Sequence, residues 1–188
     1  MLRQLKVTIR GVSPLIMHNG QTADPMNKFS RAMKEISGKR KKTDEDYAEM
    51  SRIEWHAGLY VNKDQKLILP AACLEAAIYD GAKKSKLGKA FKSAVFVEED
   101  ASLDIGRKYG KADELFSDEQ YRDIRGVRIS QSRVMRTRPI FYQWGCSFAV
   151  SFDDEQVNQK DVERAICDAG SKSGVGDFRP RYGRFEIV

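Results

Sequence analysis

The segment from Arg122 to Arg138 carries the strongest chemical signature in the sequence, because it holds six arginines against a single acid, Asp123. The planar guanidinium of arginine can bind a phosphate through two hydrogen bonds and can also stack on a base. A solvated surface would mix in lysine and glutamate, so arginine alone favours nucleic-acid binding. The stretch "MRTRP" puts Arg136 and Arg138 on one face of a strand, which suits successive phosphates. The contacts predicted in this segment are Arg128, Arg133, Arg136 and Arg138.

Two lysine-rich segments carry further positive charge. The first follows an apolar helical stripe and contains Lys83, Lys84 and Lys86, which we predict to contact phosphates as well. The second is the loop from Lys39 to Lys42. For that loop, solubility explains the charge as well as binding does.

The stretch "GVGDFRPRYGRFEIV", residues 174–188, combines glycines, arginines and aromatic residues. Glycine permits a positive φ and a close approach of the backbone to a ligand, so successive amides could hold phosphates. The arginines would add charge, and the rings could stack on bases. The predicted contacts are Gly174, Gly176, Phe178, Arg179, Arg181, Tyr182 and Gly183. The alternative is a glycine-rich turn before a last strand, with its arginines facing solvent.

Residues that could catalyse a reaction are sparse. His18 lies in a loop and could act as a general acid or base, although no carboxylate close in sequence would orient it. His56 ends a predicted helix, where a favourable interaction with the helix dipole explains it better than catalysis. The acidic runs "TDEDYAE" and "VEEDASLD" are typical of solvated helix starts and loops, and a Mg²⁺ site held by two carboxylates stays open. We therefore predict no catalytic residue, no metal and no cofactor, with His18 as catalyst only under an alternative function.

The totals describe a globular protein of 188 residues, with 41% apolar and 32% charged residues and a net charge of +6. Three cysteines are widely spaced, which argues against a disulfide framework and fits a reducing cytosol. No apolar run approaches the roughly 20 residues of a membrane helix, and the first residues do not resemble a signal peptide. We expect a cytoplasmic protein without a membrane partner.

The patterns of apolar residues predict the elements that must position these side chains. "QLKVTIRGV" alternates as a half-buried strand, and a helix is predicted from an Asp24 cap with Pro25 at its first position. A second helix follows the capping pair of Thr43 and Asp46. "GLYVNKDQKLILP" indicates a hairpin, and Pro70 opens a third helix.

The second half of the chain predicts a strand at "SAVFVEE", one long strand over residues 140–152, a helix capped by Asn158 and a last strand at "RFEIV". This order favours an α+β fold with a ferredoxin-like or RRM-like antiparallel sheet and helices on one face. We predict a single domain, residues 1–188, with a helical insertion at about 20–58 and a polar excursion at about 98–120.

Three stretches together resemble the RAMP superfamily, the RNA-binding proteins of CRISPR systems. "GSKSGVGDFRPRYGRFEI" is similar to their C-terminal glycine-rich loop, and "LILPAACLEAAIYDGAKK" to the strand and helix of CRISPR backbone subunits. "VTIRGVSPLIMHNG" resembles their first strand and its Pro-Leu turn. Glu75 stands where those subunits often carry Lys. The positions that match are Leu69, Pro70, Leu74, Ala77, Gly174, Val175, Gly176, Arg179, Arg181, Gly183 and Phe185.

The resemblance implies a non-catalytic protein that binds single-stranded RNA or DNA and assembles head to tail along the strand as a homo-oligomer or filament. Other effector-complex subunits are the further partners that it implies. Two alternatives stay open. One is a metal-independent endoribonuclease of the same superfamily that uses His18, and the other is a module whose basic face binds an acidic protein.

Overall fold

The computed structural model describes residues 1–129 and 131–188. Its strands are β1 (Leu2–Gly11), β2 (Leu15–Ile16), β3 (Ile68–Leu69), β4 (Val95–Val97), β5 (Ala101–Ser102), β6 (Arg122–Ile129), β7 (Ser132–Phe141), β8 (Gly145–Asp153) and β9 (Phe185–Ile187). Its helices are α1 (Lys28–Ser37), α2 (Asp44–Gly58), α3 (Ala71–Lys84), α4 (Gly88–Ala94), α5 (Ala112–Phe116) and α6 (Gln159–Asp168). A π-helical turn (Ala169–Ser173) continues α6. The chain divides into two compact units: residues 1–15, 61–108 and 141–188 form the first, and residues 16–60 and 109–140 the second.

The first unit is built on a four-stranded antiparallel sheet in the order β4-β8-β1-β9. Helices α3 and α6 pack against each other and bury their apolar stripes. Along the chain the order is β1, α3, β4, β8, α6, β9. When these four strands are numbered 1 to 4 in chain order, their order across the sheet is 2-3-1-4. This is the ferredoxin-like βαββαβ arrangement. The predicted α+β class with a ferredoxin-like sheet is confirmed.

Alternation along β1 decides which face of this sheet is covered. Val7 and Ile9 are 4% and 1% exposed, whereas Lys6, Thr8 and Arg10 between and beside them are exposed. In the paired strand β8, Phe148 and Phe152 share the buried face. The apolar side chains of the sheet therefore meet the helices on one face, and the other face carries polar groups.

The second unit combines α1, α2 and α5 with the hairpin formed by β6 and β7. Trp55 of α2 is fully buried, and its Nε1 donates to the Tyr121 carbonyl at 2.7 Å. Ser51 of α2 and Thr137 of β7 join their hydroxyls at 2.8 Å. The capping box predicted for α2 is present, since Thr43 accepts from the Asp46 amide while Asp46 accepts from the Thr43 amide.

The predicted start of the first helix is wrong. Helix α1 begins at Lys28 rather than at Pro25, because Asn27 is its cap and accepts from the Phe29 amide at 2.9 Å. The side chain of Asp24 instead accepts from the Met26 amide in the preceding turn.

The long strand predicted over residues 140–152 is in fact two strands, β7 and β8, that join different sheets. Trp144 ends the connection between them: its carbonyl accepts from the Gly11 amide and its Nε1 donates to the Ser13 carbonyl, both at 2.8 Å. Gly145 then enters β8 where a Cβ would lie 2.8 Å from the Ile9 carbonyl oxygen. The apolar alternation runs on through this turn, so periodicity alone did not reveal it.

The predicted hairpin over residues 58–70 is reduced to a bridge between Val61 and Leu67, and β3 beyond it pairs with β5. The single domain with an insertion at about 20–58 stays a prediction; the second unit holds that segment together with residues 109–140. Within residues 1–129 and 131–188, no helix is both long enough and apolar enough to span a bilayer.

Candidate nucleic-acid interface

The last turn of α3 presents Lys83 and Lys84 to solvent. Cations are favourable there because unpaired carbonyls leave the helix end partly negative. Lys83 donates to Asp80 Oδ1 at 2.9 Å, and its Nζ lies 4.2 Å from the centre of the Tyr79 ring. The hydrogen bond with Asp80 raises the pKa of the Lys83 ammonium. This helix end is therefore a fixed positive site.

The glycine-rich loop over residues 174–184 folds back on itself. Gly174, Gly176 and Gly183 have φ of 73°, 82° and 71°, in the left-handed region that favours glycine. The Val175 amide donates to the Gly183 carbonyl at 2.9 Å, and a Cβ on Gly183 would lie 1.7 Å from the Val175 carbonyl oxygen. The Gly183 amide also donates to the Pro14 carbonyl at 2.8 Å. Two of the glycines predicted from the sequence are thus required by the loop itself.

The helix end and the loop meet in space. Arg179 of the loop lies with Nη1 3.4 Å from Asp80 Oδ2, the same carboxylate that accepts from Lys83. Together they line one open depression, which we call the basic groove. Its lining residues are Asp80, Lys83, Lys84, Lys172, Ser173, Gly176, Asp177, Phe178, Arg179 and Pro180. Two segments that the sequence marked separately are therefore parts of one site.

Lys172 is a cation of this groove that the sequence reasoning missed. It lies in the π-helical turn after α6 and donates to Asp168 at 2.5 Å. Its only sequence signal was its place two residues before Gly174, inside the stretch that resembles the RAMP loop. Asp80, which holds both Lys83 and Arg179, was also not predicted.

The aromatic residues of the loop stand beside the groove. Phe178 is 40% exposed and meets Tyr182 edge to face, with ring centres 6.3 Å apart. An exposed ring held in this way can stack on an unpaired base. Arg181 is exposed in the same loop, and Lys86 is exposed beyond the end of α3.

The arginine segment of the second unit forms the β6–β7 hairpin, and its base is ion-paired internally. Arg138 is 5% exposed and donates to Asp123 Oδ2 at 3.1 Å, and Arg125 pairs with the same acid. Arg136 pairs with Glu54 of α2. As predicted, Arg136 and Arg138 share one strand face, but that face is turned to internal acids. Arg138 has no exposed guanidinium to offer a phosphate, so we remove it from the interface.

The outer end of the same hairpin differs from its base. Arg128 and Arg133 stand directly opposite each other across the two strands, and both are exposed. Ile124 and Met135 on the same face are 53% and 65% exposed. Arg128 and Arg133 therefore remain predicted contacts, now on a mixed cationic and apolar surface.

The two histidines have different surroundings. His18 is exposed, and its carbonyl accepts from the Tyr60 hydroxyl at 3.1 Å. His56 is half-buried, 3.0 Å from Asp113, which also accepts from Arg52 at 2.8 Å. Burial lowers the pKa of His56 against the opposing effect of Asp113. In the described part of the chain, no cluster of three or more His, Cys, Asp and Glu residues could hold a metal ion.

No family model matches the chain, and no curated protein matches it. A solved structure of the Type III-B Cmr-beta bound to cognate target RNA is similar over the whole of this chain, with a TM-score of 0.53 and 12% identity. The chain spans 59% of the length of that matched chain. A crystal structure of Cmr6 from Pyrococcus furiosus aligns over all of this chain and 99% of its own, with 12% identity and a TM-score of 0.43.

The likeness to Cmr-beta concerns the course of the backbone, since 12% identity leaves few shared side chains. The glycine-rich loop and the two other RAMP-like stretches of the sequence indicate the same fold independently. Over its whole length the chain therefore has the fold of part of a chain in the Type III-B Cmr-beta structure, which agrees with the fold that the RAMP resemblance implied.

Proposed function

We propose that this chain is a non-catalytic RNA-binding protein that holds a single strand along the basic groove. Lys83, Lys84, Lys172 and Arg179 would contact phosphates, and Phe178 would stack on a base. Gly176, the one glycine among the described residues that line the groove, would let the backbone approach the strand. In this role the protein acts in the cytoplasm as part of an RNA-guided effector complex, with other subunits as partners.

The observation that carries this proposal is the convergence of two basic segments distant in sequence. The end of α3 and the loop over residues 174–184 share the carboxylate of Asp80 and one groove. Scattered lysines would serve solubility equally well on any surface, whereas cations gathered beside the half-buried backbone of Gly176 and an exposed aromatic ring suit a phosphate chain.

The Cmr-beta structure with this fold is bound to target RNA, which favours RNA over DNA as the ligand. The resemblance to backbone subunits also supports assembly of several copies head to tail along the strand. Such a contact is heterologous, so it generates a filament rather than a closed pair.

The salt dependence of RNA binding tests the proposal. For a labelled single-stranded RNA, the affinity should fall steeply with salt, and the triple variant K83A/K84A/R179A should reduce the logarithmic slope by about 2, since each lost phosphate contact removes about 0.7. Lys160→Ala is the matched control, because Lys160 is an exposed lysine of the first unit outside the groove. A triple variant with the slope and affinity of the control would refute the groove as the binding site.

A second function, endoribonuclease activity, is favoured by one observation. His18 lines a groove of the second unit that also contains the exposed Lys34, a cation that could hold RNA. Incubation of labelled RNA with the protein and with His18→Ala separates the two functions. Cleavage by the unaltered protein that is lost in His18→Ala would establish the endoribonuclease activity. RNA that stays intact with both proteins would support the binding function alone.

The third function, a basic module for an acidic protein, predicts a different result. Heparin would bind and oligonucleotides would not. The titration with labelled RNA should be repeated with single-stranded DNA. Equal affinity for DNA and RNA would contradict the proposed preference for RNA.

A further inference from the structure

We propose that a pocket beside the basic groove recognises one guanine base of the bound RNA. This inference deepens the proposed function and rests on it, because the strand must first lie in the groove. Phosphate contacts hold any sequence, whereas a pocket that forms hydrogen bonds with one edge of a base selects among the four bases. The protein would therefore bind a single strand with a preference at one nucleotide.

The pocket lies between α3, α4 and β4 of the first unit, and apolar side chains form most of its wall. Phe91 of α4 and Val95 of β4 are buried there, and the half-buried Tyr79 of α3 borders it. Ala72 and Ala76 lie one turn of α3 apart and, being small, leave that side open. The volume of about 240 Å³ lies below the roughly 300–1,000 Å³ of pockets for drug-sized ligands, so it suits a single planar base.

Tyr79 joins this pocket to the basic groove. The Nζ of Lys83, which lines the groove, lies 4.2 Å from the centre of the Tyr79 ring. Helix α4 begins against the same two side chains, since a Cβ on Gly88 would lie 2.9 Å from Lys83 Cγ and 3.5 Å from Tyr79 Cε2. A nucleotide whose phosphate is held by Lys83 therefore has the pocket beside it, and its unpaired base can turn onto the aromatic wall.

Glu75 is the polar group that would recognise the base. Its Oε2 accepts from the Val97 amide at 3.2 Å, which holds the carboxylate against the edge strand β4. Among the described residues none donates to Oε1, and Oε2 keeps a second lone pair. The carboxylate can therefore accept two hydrogen bonds from a ligand at once, and it offers no donor.

A carboxylate of this kind selects guanine. On the Watson–Crick edge of guanine the N1–H and the N2 amino group are adjacent donors, so both carboxylate oxygens are used. Adenine and cytosine present one amino group beside an acceptor nitrogen, and uracil presents one N–H between two carbonyl oxygens that a carboxylate repels. The exposed Lys92 lines the same pocket, and its ammonium can donate to O6, the acceptor next to N1–H of guanine.

Substitution of one base in a uniform strand tests the proposal. The probes are labelled uridine tracts of one length in which the central nucleotide is uridine, cytidine, adenosine, inosine or guanosine. We expect the guanosine tract to bind about tenfold more tightly than the all-uridine tract, which is the discrimination of one bidentate pair. Inosine lacks the N2 amino group, so its tract should fall between the two.

Two variants assign the preference to the pocket. Glu75→Gln should reduce it to about twofold, because the amide presents one acceptor and one donor. Ala76→Leu should do the same by filling the pocket, and leucine suits an exposed helical position. Glu163→Gln on α6, outside the pocket, is the control and should keep the tenfold preference. Since the preference compares two RNAs on one protein, a general loss of affinity or stability cancels from it.

A mononucleotide gives a readout that does not depend on the groove. Guanosine monophosphate should shift the NMR signals of the Tyr79 ring, and uridine monophosphate at the same concentration should not. Equal affinity for all five tracts would overturn the pocket and leave the proposed function standing. A guanosine preference that persists in both Glu75→Gln and Ala76→Leu would also overturn it. No binding of any tract, together with no shift by guanosine monophosphate, would overturn the pocket and the proposed function alike.

Discussion

The end of α3 and the β6–β7 hairpin are both dense in positive charge, but they differ in where their counter-charges lie. In the hairpin, Asp123 and Glu54 pair with arginines inside the second unit, and Arg138 is buried. At the end of α3, Asp80 meets exposed cations that line an open groove. A run of arginines therefore indicates a binding surface only where the arginines are not ion-paired with acidic side chains inside the protein. Substitutions in each region test this difference.

Removing Asp123 should have the largest effect. Asp123→Ala takes the carboxylate from a buried pair with Arg138, and loss of one member of such a pair costs about 3–5 kcal/mol of the free energy of unfolding. Urea unfolding followed by tryptophan fluorescence measures it. Glu35→Ala, a change at an exposed acid of the second unit, is the control and should stay within about 0.5 kcal/mol. Equal values for both variants would mean that the hairpin does not depend on its internal acid.

Gly183→Ala should have the second-largest effect, and this effect should be confined to the glycine-rich loop beside the basic groove. The new Cβ would collide with the Val175 carbonyl in a left-handed backbone, so we expect a loss of about 1–3 kcal/mol together with weaker RNA binding. Thermal unfolding and anisotropy titration measure the two losses. Gly20→Ala meets no atom within 4 Å and should change neither. If Gly183→Ala binds RNA as tightly as the unaltered protein, the geometry of the loop does not contribute to binding.

The sequence predicted the loop better than the hairpin, for a physical reason. Glycines at left-handed positions are fixed by local backbone geometry, so Gly174 and Gly183 could be identified from their own stretch. The state of Arg136 depends on Glu54, which is 82 residues away in sequence, and no local pattern encodes that pair. The boundary between β7 and β8 was missed for the same reason, since Trp144 is held by Gly11 and Ser13.

Two variants, each with one acid neutralised, test which of the paired cations can bind RNA. Asp80→Asn should tighten RNA binding by about threefold, because it releases Lys83 and Arg179 from an exposed pair of modest strength. Glu54→Gln should leave the affinity unchanged, since Arg136 lies outside the basic groove. Titration at a single salt concentration measures both variants. Tighter binding by Glu54→Gln would extend the interface to the hairpin.

The smallest effect is a pH dependence in the second unit. Burial holds the pKa of His56 below that of the unfolded chain, so the unfolded state takes up a proton first as the pH falls. The stability is therefore complete above about pH 6.5, the unfolded pKa, and declines as the pH falls toward the folded pKa. Melting temperatures between pH 8 and pH 5 measure this, and His56→Gln should flatten the slope. An unchanged slope would assign the dependence to other groups.

Gly81 limits how the groove can respond to a ligand. A Cβ at this position would lie 2.1 Å from the Ala165 carbonyl oxygen, so the backbones of α3 and α6 touch three residues before Lys84. Helices in such close contact cannot slide without losing their packing. The wall that bears the lysines is thus rigid, and any induced fit to strands of different shape must come from the glycine loop facing it.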